Sequence, residues 1–113
     1  MTMLRQGDVL LVETDDLPPN LDEVAPERRG SRLEYVLAHG EVTGHAHVMP
    51  VSERLALRRH PEHGTFLVVQ DGGTELSHEE HRPLPVPPGN YRIVRQRTYD
   101  VGRDGNAWSN VRD

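Results

Sequence analysis

Turn-forming residues recur along this chain and cut it into short stretches. Glycine, proline, asparagine and aspartate cluster at residues 15–20, 71–73 and 83–89. Between these clusters, residues 54–58 and 91–99 alternate apolar or small side chains with polar ones, which is the period of a β-strand. Several short strands separated by turns predict an all-β chain, folded as a small antiparallel barrel or sandwich with long loops.

Seven stretches have the composition of strands. For residues 54–58, a short helix is an alternative to the strand. Asp71, Gly72 and Gly73 supply the positive φ angles of a tight turn, so the stretches on either side of them are expected to form a hairpin. Prolines between residues 83 and 88 exclude a central strand there, because proline has no backbone N–H. Residues 20–31 show no period and predict a polar loop. The expected strands cover residues 8–12, 33–38, 41–49, 54–58, 66–70, 74–78 and 91–99.

The length of 113 residues predicts a single β-rich domain over residues 1–113,. Residues 102–113 look like a loosely attached C-terminal tail, with Trp108 as its one bulky anchor. No apolar run approaches the roughly 18 residues of a membrane span or the length of a signal peptide. The chain also lacks cysteine, which agrees with a reducing compartment. We therefore expect a cytoplasmic protein without membrane contact, which could form a homo-oligomer.

All 13 basic residues are arginine, and the net charge is −5. The absence of lysine excludes Schiff-base and P-loop chemistry, and the acidic balance argues against strong nonspecific nucleic-acid binding. Arg92, Arg95 and Arg97 gather near the C-terminus, where guanidinium groups could hold a small anionic substrate or a nucleotide. The alternative interpretation of these arginines is a solvated strand face.

The histidines indicate a metal site. All seven lie between His39 and His81, and imidazole is the commonest protein ligand for zinc, iron and nickel. His45 and His47 would share one face of a regular strand, unless Gly44 introduces a bulge. His78 and His81, three residues apart, are expected to flank a turn. The predicted ligands of a divalent transition metal (zinc, manganese, iron or nickel) are His45, His47, His78 and His81.

The remaining histidines and one carboxylate are assigned other roles. Glu41 and His39 lie just before the His-x-His pair and are candidates for the general base of a metal-dependent reaction. Glu41 could also be a fourth ligand or an ordinary strand carboxylate. His60 and His63 lie among loop-forming residues and are expected to be solvated.

Four strings of this sequence resemble the hallmarks of a small histidine-bearing family from bacteria and phages, without a settled activity. The resemblance spans most of residues 4–99, and it adds nothing about a reaction. The His-x-His pair, the later histidine and the Pro-Pro-Gly turn are also similar to the metal site of cupin barrels, although the glycine-rich spacing is shortened and the chain is small for that fold. The family-like strings cover residues 6–12, 40–47, 78–81 and 87–97.

Two functions of different classes follow. The first is a metal-dependent hydrolase of the phosphodiesterase or nuclease type, because three imidazole ligands leave a coordination position for an activated water. The second is a noncatalytic metal- or ligand-binding β module that contacts a protein or nucleotide partner. A redox-active iron site is a third possibility. An open coordination position would favour the hydrolase, and a closed four-ligand shell would favour the module.

Overall fold

The computed structural model describes residues 2–40 and 44–96. These residues form eleven β-strands and no helix, as the turn clusters predict. The expectations for Glu41, Arg97 and the tail at residues 102–113 lie outside the described residues. The strands are β1 (Met3–Gln6), β2 (Val9–Glu13), β3 (Asp22–Glu23), β4 (Glu27–Arg29), β5 (Arg32–His39), β6 (Ala46–Pro50), β7 (Leu55–His60), β8 (Gly64–Val69), β9 (Thr74–His78), β10 (His81–Val86) and β11 (Gly89–Arg95).

The strands form two separate antiparallel sheets. The first sheet has the order β1-β2-β11-β8-β7-β3, and the second has the order β10-β9-β6-β5-β4. Neither sheet closes on itself, so the sandwich is confirmed and the barrel alternative is not adopted,. The histidine-bearing strand β6 is paired on both sides, by β5 and β9.

The core lies between the two sheets and receives apolar side chains from both. The first sheet supplies Leu11, Leu67 and Tyr91, and the second supplies Met49 and Leu76, all with at most 1% of their surface exposed. Buried positions alternate along β7 and β9, whereas consecutive residues are buried on β2 and β6, so a period of two marks only part of the core in the sequence. The core therefore holds the sheets face to face.

The expected hairpin across residues 71–73 is wrong. Gly72 and Gly73 do adopt positive φ angles of 98° and 69°, but the turn carries the chain from β8 in the first sheet to β9 in the second. Strand β8 is already paired with β7 on one side and β11 on the other. It has no free edge for β9, so the turn connects the two sheets.

The alternating stretch beginning at Tyr91 forms strand β11, which lies between β2 and β8 inside the first sheet. The proline-containing strand β10 lies at an edge of the second sheet, where missing N–H donors are tolerated,.

Residues 20–31, expected to be a loop, contain the short strands β3 and β4. Their pairing with β7 and β5 is a tertiary effect that no local period signals.

Gln6, at the end of β1, joins the edges of the two sheets. Its Nε2 donates hydrogen bonds to the carbonyl oxygens of Leu76 and Arg82, each at 2.9 Å, and the side chain is buried. These acceptors belong to β9 and β10 of the opposite sheet.

The described ranges contain no helix that could cross a bilayer.

We expect Leu67→Ala to lower the free energy of unfolding by about 2–5 kcal/mol, because Leu67 is fully buried and its loss leaves a cavity,. The matched control is Leu33→Ala, since Leu33 is 46% exposed and its truncation should change stability by no more than about 0.5 kcal/mol. Urea unfolding of both variants measures the difference. Equal changes in the two variants would contradict the assigned core.

Candidate metal centre

Three histidines lie side by side across the second sheet. The register that pairs Val48 with Ser77 brings His47 opposite His78, and His78 pairs directly with His81. The ring centroids of His47 and His78 are 4.4 Å apart, and those of His78 and His81 are 4.6 Å apart. We call His47, His78 and His81 the histidine row.

The turn expected between His78 and His81 is present, since β9 ends at His78 and β10 begins at His81. His45 joins the same cluster from the segment before β6, with its ring centroid 5.6 Å from that of His78. Gly44, with a φ of 87°, precedes it. The structure thus brings the four histidines proposed as ligands together, with His78 next to each of the other three.

His47 has both ring nitrogens engaged. Nδ1 lies 2.9 Å from Gln6 Oε1, and Nε2 lies 3.2 Å from Asp8 Oδ1. The amide of Gln6 uses its nitrogen for two carbonyl acceptors, so its oxygen must accept a proton from His47 Nδ1. His47, with no exposed surface, therefore donates from Nδ1 to Gln6 across the sheets while its Nε2 faces the Asp8 carboxylate, so neither nitrogen points into a shared ligand set.

Asp8 links His47 to an arginine. Its Oδ2 accepts a hydrogen bond of 2.8 Å from Arg95 Nε, and the carboxylate is 1% exposed. Arg95 also donates to the backbone carbonyl of His39. Arg95 is half-buried, and Asp8 supplies the anionic partner that its charge requires there,. The guanidinium is thus already paired within the protein.

Arg92 lies on the other face of β11 and is exposed; Phe66 on β8 is its register partner, and Arg58 on β7 lies beyond Phe66. It borders a cleft shared with His63, away from the histidine row. His39 is a surface residue whose Nε2 lies 3.4 Å from Glu27 Oε1. The structure therefore does not place Arg92 or the side chain of His39 with the histidines.

His60 is the last residue of β7, so the expectation of a loop is wrong for it, whereas His63 lies in the turn before β8 as expected. His60 Nδ1 accepts hydrogen bonds from the backbone N–H groups of Glu62 and His63, at 3.0 and 3.2 Å. The two rings pack together with centroids 4.4 Å apart. They serve as controls for any property of the histidine row.

One set of side chains among the described residues could hold a metal ion: His45, His78 and Glu79, whose ligand atoms all lie within 4.8 Å of one another. Two of these three belong to the set proposed from the sequence. Glu79 does not, although it lies in the turn between His78 and His81. Carboxylates are common in turns, and only the sheet pairing brings this one next to His45.

Glu79 is held in place by two contacts. Its Oε1 accepts a hydrogen bond of 2.9 Å from the backbone N–H of Ala46, and its Oε2 lies 3.2 Å from Arg29 Nη2. Burial raises the pKa of the Glu79 carboxyl, but the backbone N–H groups of Ala46 and Glu79 and the charges of His45 and Arg29 outweigh burial. The pKa is therefore below its usual value, and the group is an anion at neutral pH.

Arg29 also fixes the segment that carries His45. Its Nη2 donates to the carbonyl oxygen of Gly44 at 2.6 Å as well as to Glu79. One guanidinium thus joins the backbone before His45 to the carboxylate in the β9–β10 turn. Arg29 was not singled out by its sequence, because it lies in the stretch without a period.

The other contacts in the cluster come from Glu80. Its backbone N–H donates to His78 Nδ1 at 3.0 Å, and its Oε1 lies 3.5 Å from His45 Nδ1. A recess of about 250 Å³ opens beside the cluster, lined by Ala46, Val48, Ser77, His78 and Glu79. The candidate site therefore has a space in which a small molecule can approach.

A family model described as a domain of unknown function (DUF8820) matches residues 5–96. This range contains the histidine row, Gln6, Asp8 and Arg95. No curated protein and no solved structure matches the chain.

We expect the stability of the protein to fall as the pH decreases from about 6.5 to 4. Burial first, and then the neighbouring His78, lower the pKa of His47 to about 4, and they outweigh Asp8, which raises it. The unfolded chain therefore takes up a proton near pH 6.5 that the folded protein resists. For a difference of about 2.5 units the loss is on the order of 3 kcal/mol, absent above pH 6.5 and complete below pH 4.

Urea unfolding between pH 4 and 7.5, with a chelator to keep metal away, measures this dependence. The matched variant is His47→Gln, which has no titrating ring, so its stability should fall less steeply over the same interval. Parallel pH profiles for the two proteins would contradict the lowered pKa.

Proposed function

We propose that this chain, which belongs to the DUF8820 family, binds a divalent transition metal through His45, His78 and Glu79. The observation that carries the proposal is the convergence of three ligand atoms within 4.8 Å of one another. They come from the segment before β6, the end of β9 and the turn after it. A site assembled from separate segments holds its geometry because the sheet pairing fixes each of them.

Two imidazoles and one carboxylate suit the metals expected from the sequence. This donor set occurs in catalytic zinc sites and in nonhaem iron sites, and in both it leaves coordination positions open. The lowered pKa of Glu79 supplies a negative charge at neutral pH. Arg29 and the backbone N–H of Ala46 orient that carboxylate from outside, as outer hydrogen-bond partners do in metal sites,.

We expect His45→Ala, His78→Ala and Glu79→Gln each to weaken zinc binding at least about 100-fold, because each removes one of three ligands. Arg29→Leu should weaken it about 10- to 100-fold, since it removes only an outer partner of Glu79. His63→Ala should leave it unchanged. Calorimetric titration of zinc into chelator-treated protein without a histidine tag measures all five variants.

The effect of each substitution on zinc affinity distinguishes a specific metal site from nonspecific binding at the protein surface. Equal weakening by His63→Ala and His45→Ala would show nonspecific binding and refute the proposed ligand set. Binding in the wild type should also weaken as the pH falls through about 6, because a protonated imidazole cannot coordinate a metal.

A second candidate function, a metal-dependent hydrolase, is favoured by one observation. His81 adjoins His78, and its buried Nε2 has no hydrogen-bond partner among the described residues. A metal held by this set would lower the pKa of a coordinated water, and His81 would be placed to accept a proton from that water. The sequence suggested Arg92, Arg95 and Arg97 as anion contacts; Arg29 is the arginine at the ligand set, and although it is bonded to Glu79 and the Gly44 carbonyl, its positive charge would attract an anionic substrate.

We expect the zinc-loaded protein to hydrolyse bis(p-nitrophenyl) phosphate, and His81→Gln to lower the rate about 10²- to 10⁴-fold while zinc still binds. The comparison substrate is p-nitrophenyl acetate, which lacks the anionic group and should be used less well. Absence of zinc-dependent turnover in the wild type would exclude hydrolysis of this phosphodiester and support the noncatalytic metal-binding module.

A further inference from the structure

A separate cavity of about 250 Å³ lies at the edge of the first sheet formed by β3 and β7. It shares no lining residue with the set formed by His45, His78 and Glu79. Both strands of that edge contribute, together with β5 from the opposite sheet. The residues that matter for its chemistry are Glu23, Val24, Tyr35, Glu53, Leu57 and Arg58.

Arg58 brings an unpartnered cation to this cavity. Its Nε is buried and forms no hydrogen bond within the described ranges. Glu23 is its register partner on β3, yet their charged groups form none of the ion pairs among the described residues. Because Nε is sealed from solvent, an anionic group in the cavity would meet the terminal Nη nitrogens of Arg58, which are not among the buried unpartnered atoms.

The other charges at the cavity are negative. Glu23 and Glu53 both line it, and neither carboxylate forms an ion pair elsewhere in the described chain. A ligand that carried only an anion would be attracted by Arg58 and repelled by both carboxylates. A ligand that carried only a cation would meet the opposite problem. A zwitterion places one group against each charge.

The walls limit what else the ligand can carry. Val24, Leu55 and Leu57 are apolar, and Tyr35 packs against the same core. The volume lies below the roughly 300–1,000 Å³ of pockets for drug-sized ligands. The occupant must therefore be small, with a short apolar portion between or beside its charged groups.

We propose that this cavity binds a free α-amino acid with a small aliphatic side chain. Arg58 holds the carboxylate, Glu53 holds the ammonium group, and Val24 and Leu57 contact the side chain. A peptide terminus does not fit the proposal, because it offers one of the two charges and not both.

Calorimetric titration of the full chain with valine tests the proposal. Isovalerate is valine without its ammonium group, and isobutylamine is valine without its carboxylate, so both should bind at least about tenfold more weakly. Arg58→Leu should weaken valine binding about 10- to 100-fold. The matched control is Arg59→Leu, on the opposite face of the same strand, which should bind valine like the wild type.

A second variant keeps the test decisive if Arg58→Leu does not fold. Glu53 is exposed, so Glu53→Gln is expected to fold, to bind valine more weakly, and to bind isovalerate more tightly than the wild type does. Opposite changes for the two ligands are the signature of an ammonium contact. Isovalerate binding as tight as that of valine, no saturable heat with valine, or unchanged binding by Arg58→Leu would overturn the proposal.

Discussion

A buried carboxylate, Asp8, is the interaction on which the rest of this structure depends. It is 1% exposed and lies between His47 of the second sheet and Arg95 of the first. Such a charge is tolerated in an interior only with partners, and removing one partner typically costs about 3–5 kcal/mol. Gln6 completes the set by bonding to His47 and to two carbonyls of the opposite sheet. These polar contacts thus determine how the edges of the two sheets are aligned. The apolar core also holds the sheets together, but hydrophobic packing does not by itself set their relative orientation.

This network also decides which histidines are available for chemistry. His47 belongs to a His-x-His pair, the pattern that first suggests a chelate, but its nitrogens face Gln6 and Asp8. The ligand set therefore moves to His45, His78 and Glu79 on the neighbouring segments. Arg95 is removed from substrate binding for the same reason, because its guanidinium is paired with Asp8. Arg29 becomes the arginine that contacts the ligand set.

The two proposed sites lie at different edges of the sandwich. The ligand set of His45, His78 and Glu79 lies at the start of β6 and at the β9–β10 turn, on the side of the second sheet that Gln6 joins to the first. The cavity at Arg58 lies by β3 and β7, where the first sheet ends in a strand of only two residues. That short strand leaves part of the β7 edge uncovered, and the open space follows from this. Both sites arise where pairing between strands stops, since a fully paired interior leaves no space for a ligand.

The sequence by itself determined the strand class, the position of most strands, the absence of a central strand at the prolines of residues 83–88 and the turn between His78 and His81. Each follows from a local cause: the period of two, the missing donor of proline, or the spacing of two residues around a turn. It did not determine that the turn at residues 71–73 joins two sheets, because that depends on β7 and β11 already occupying both edges of β8. It also did not reveal Asp8, Gln6, Arg29 or Glu79 as members of the candidate site. These residues are unremarkable in the chain and gain their roles from pairing with distant segments, so only the tertiary structure could decide which polar groups meet.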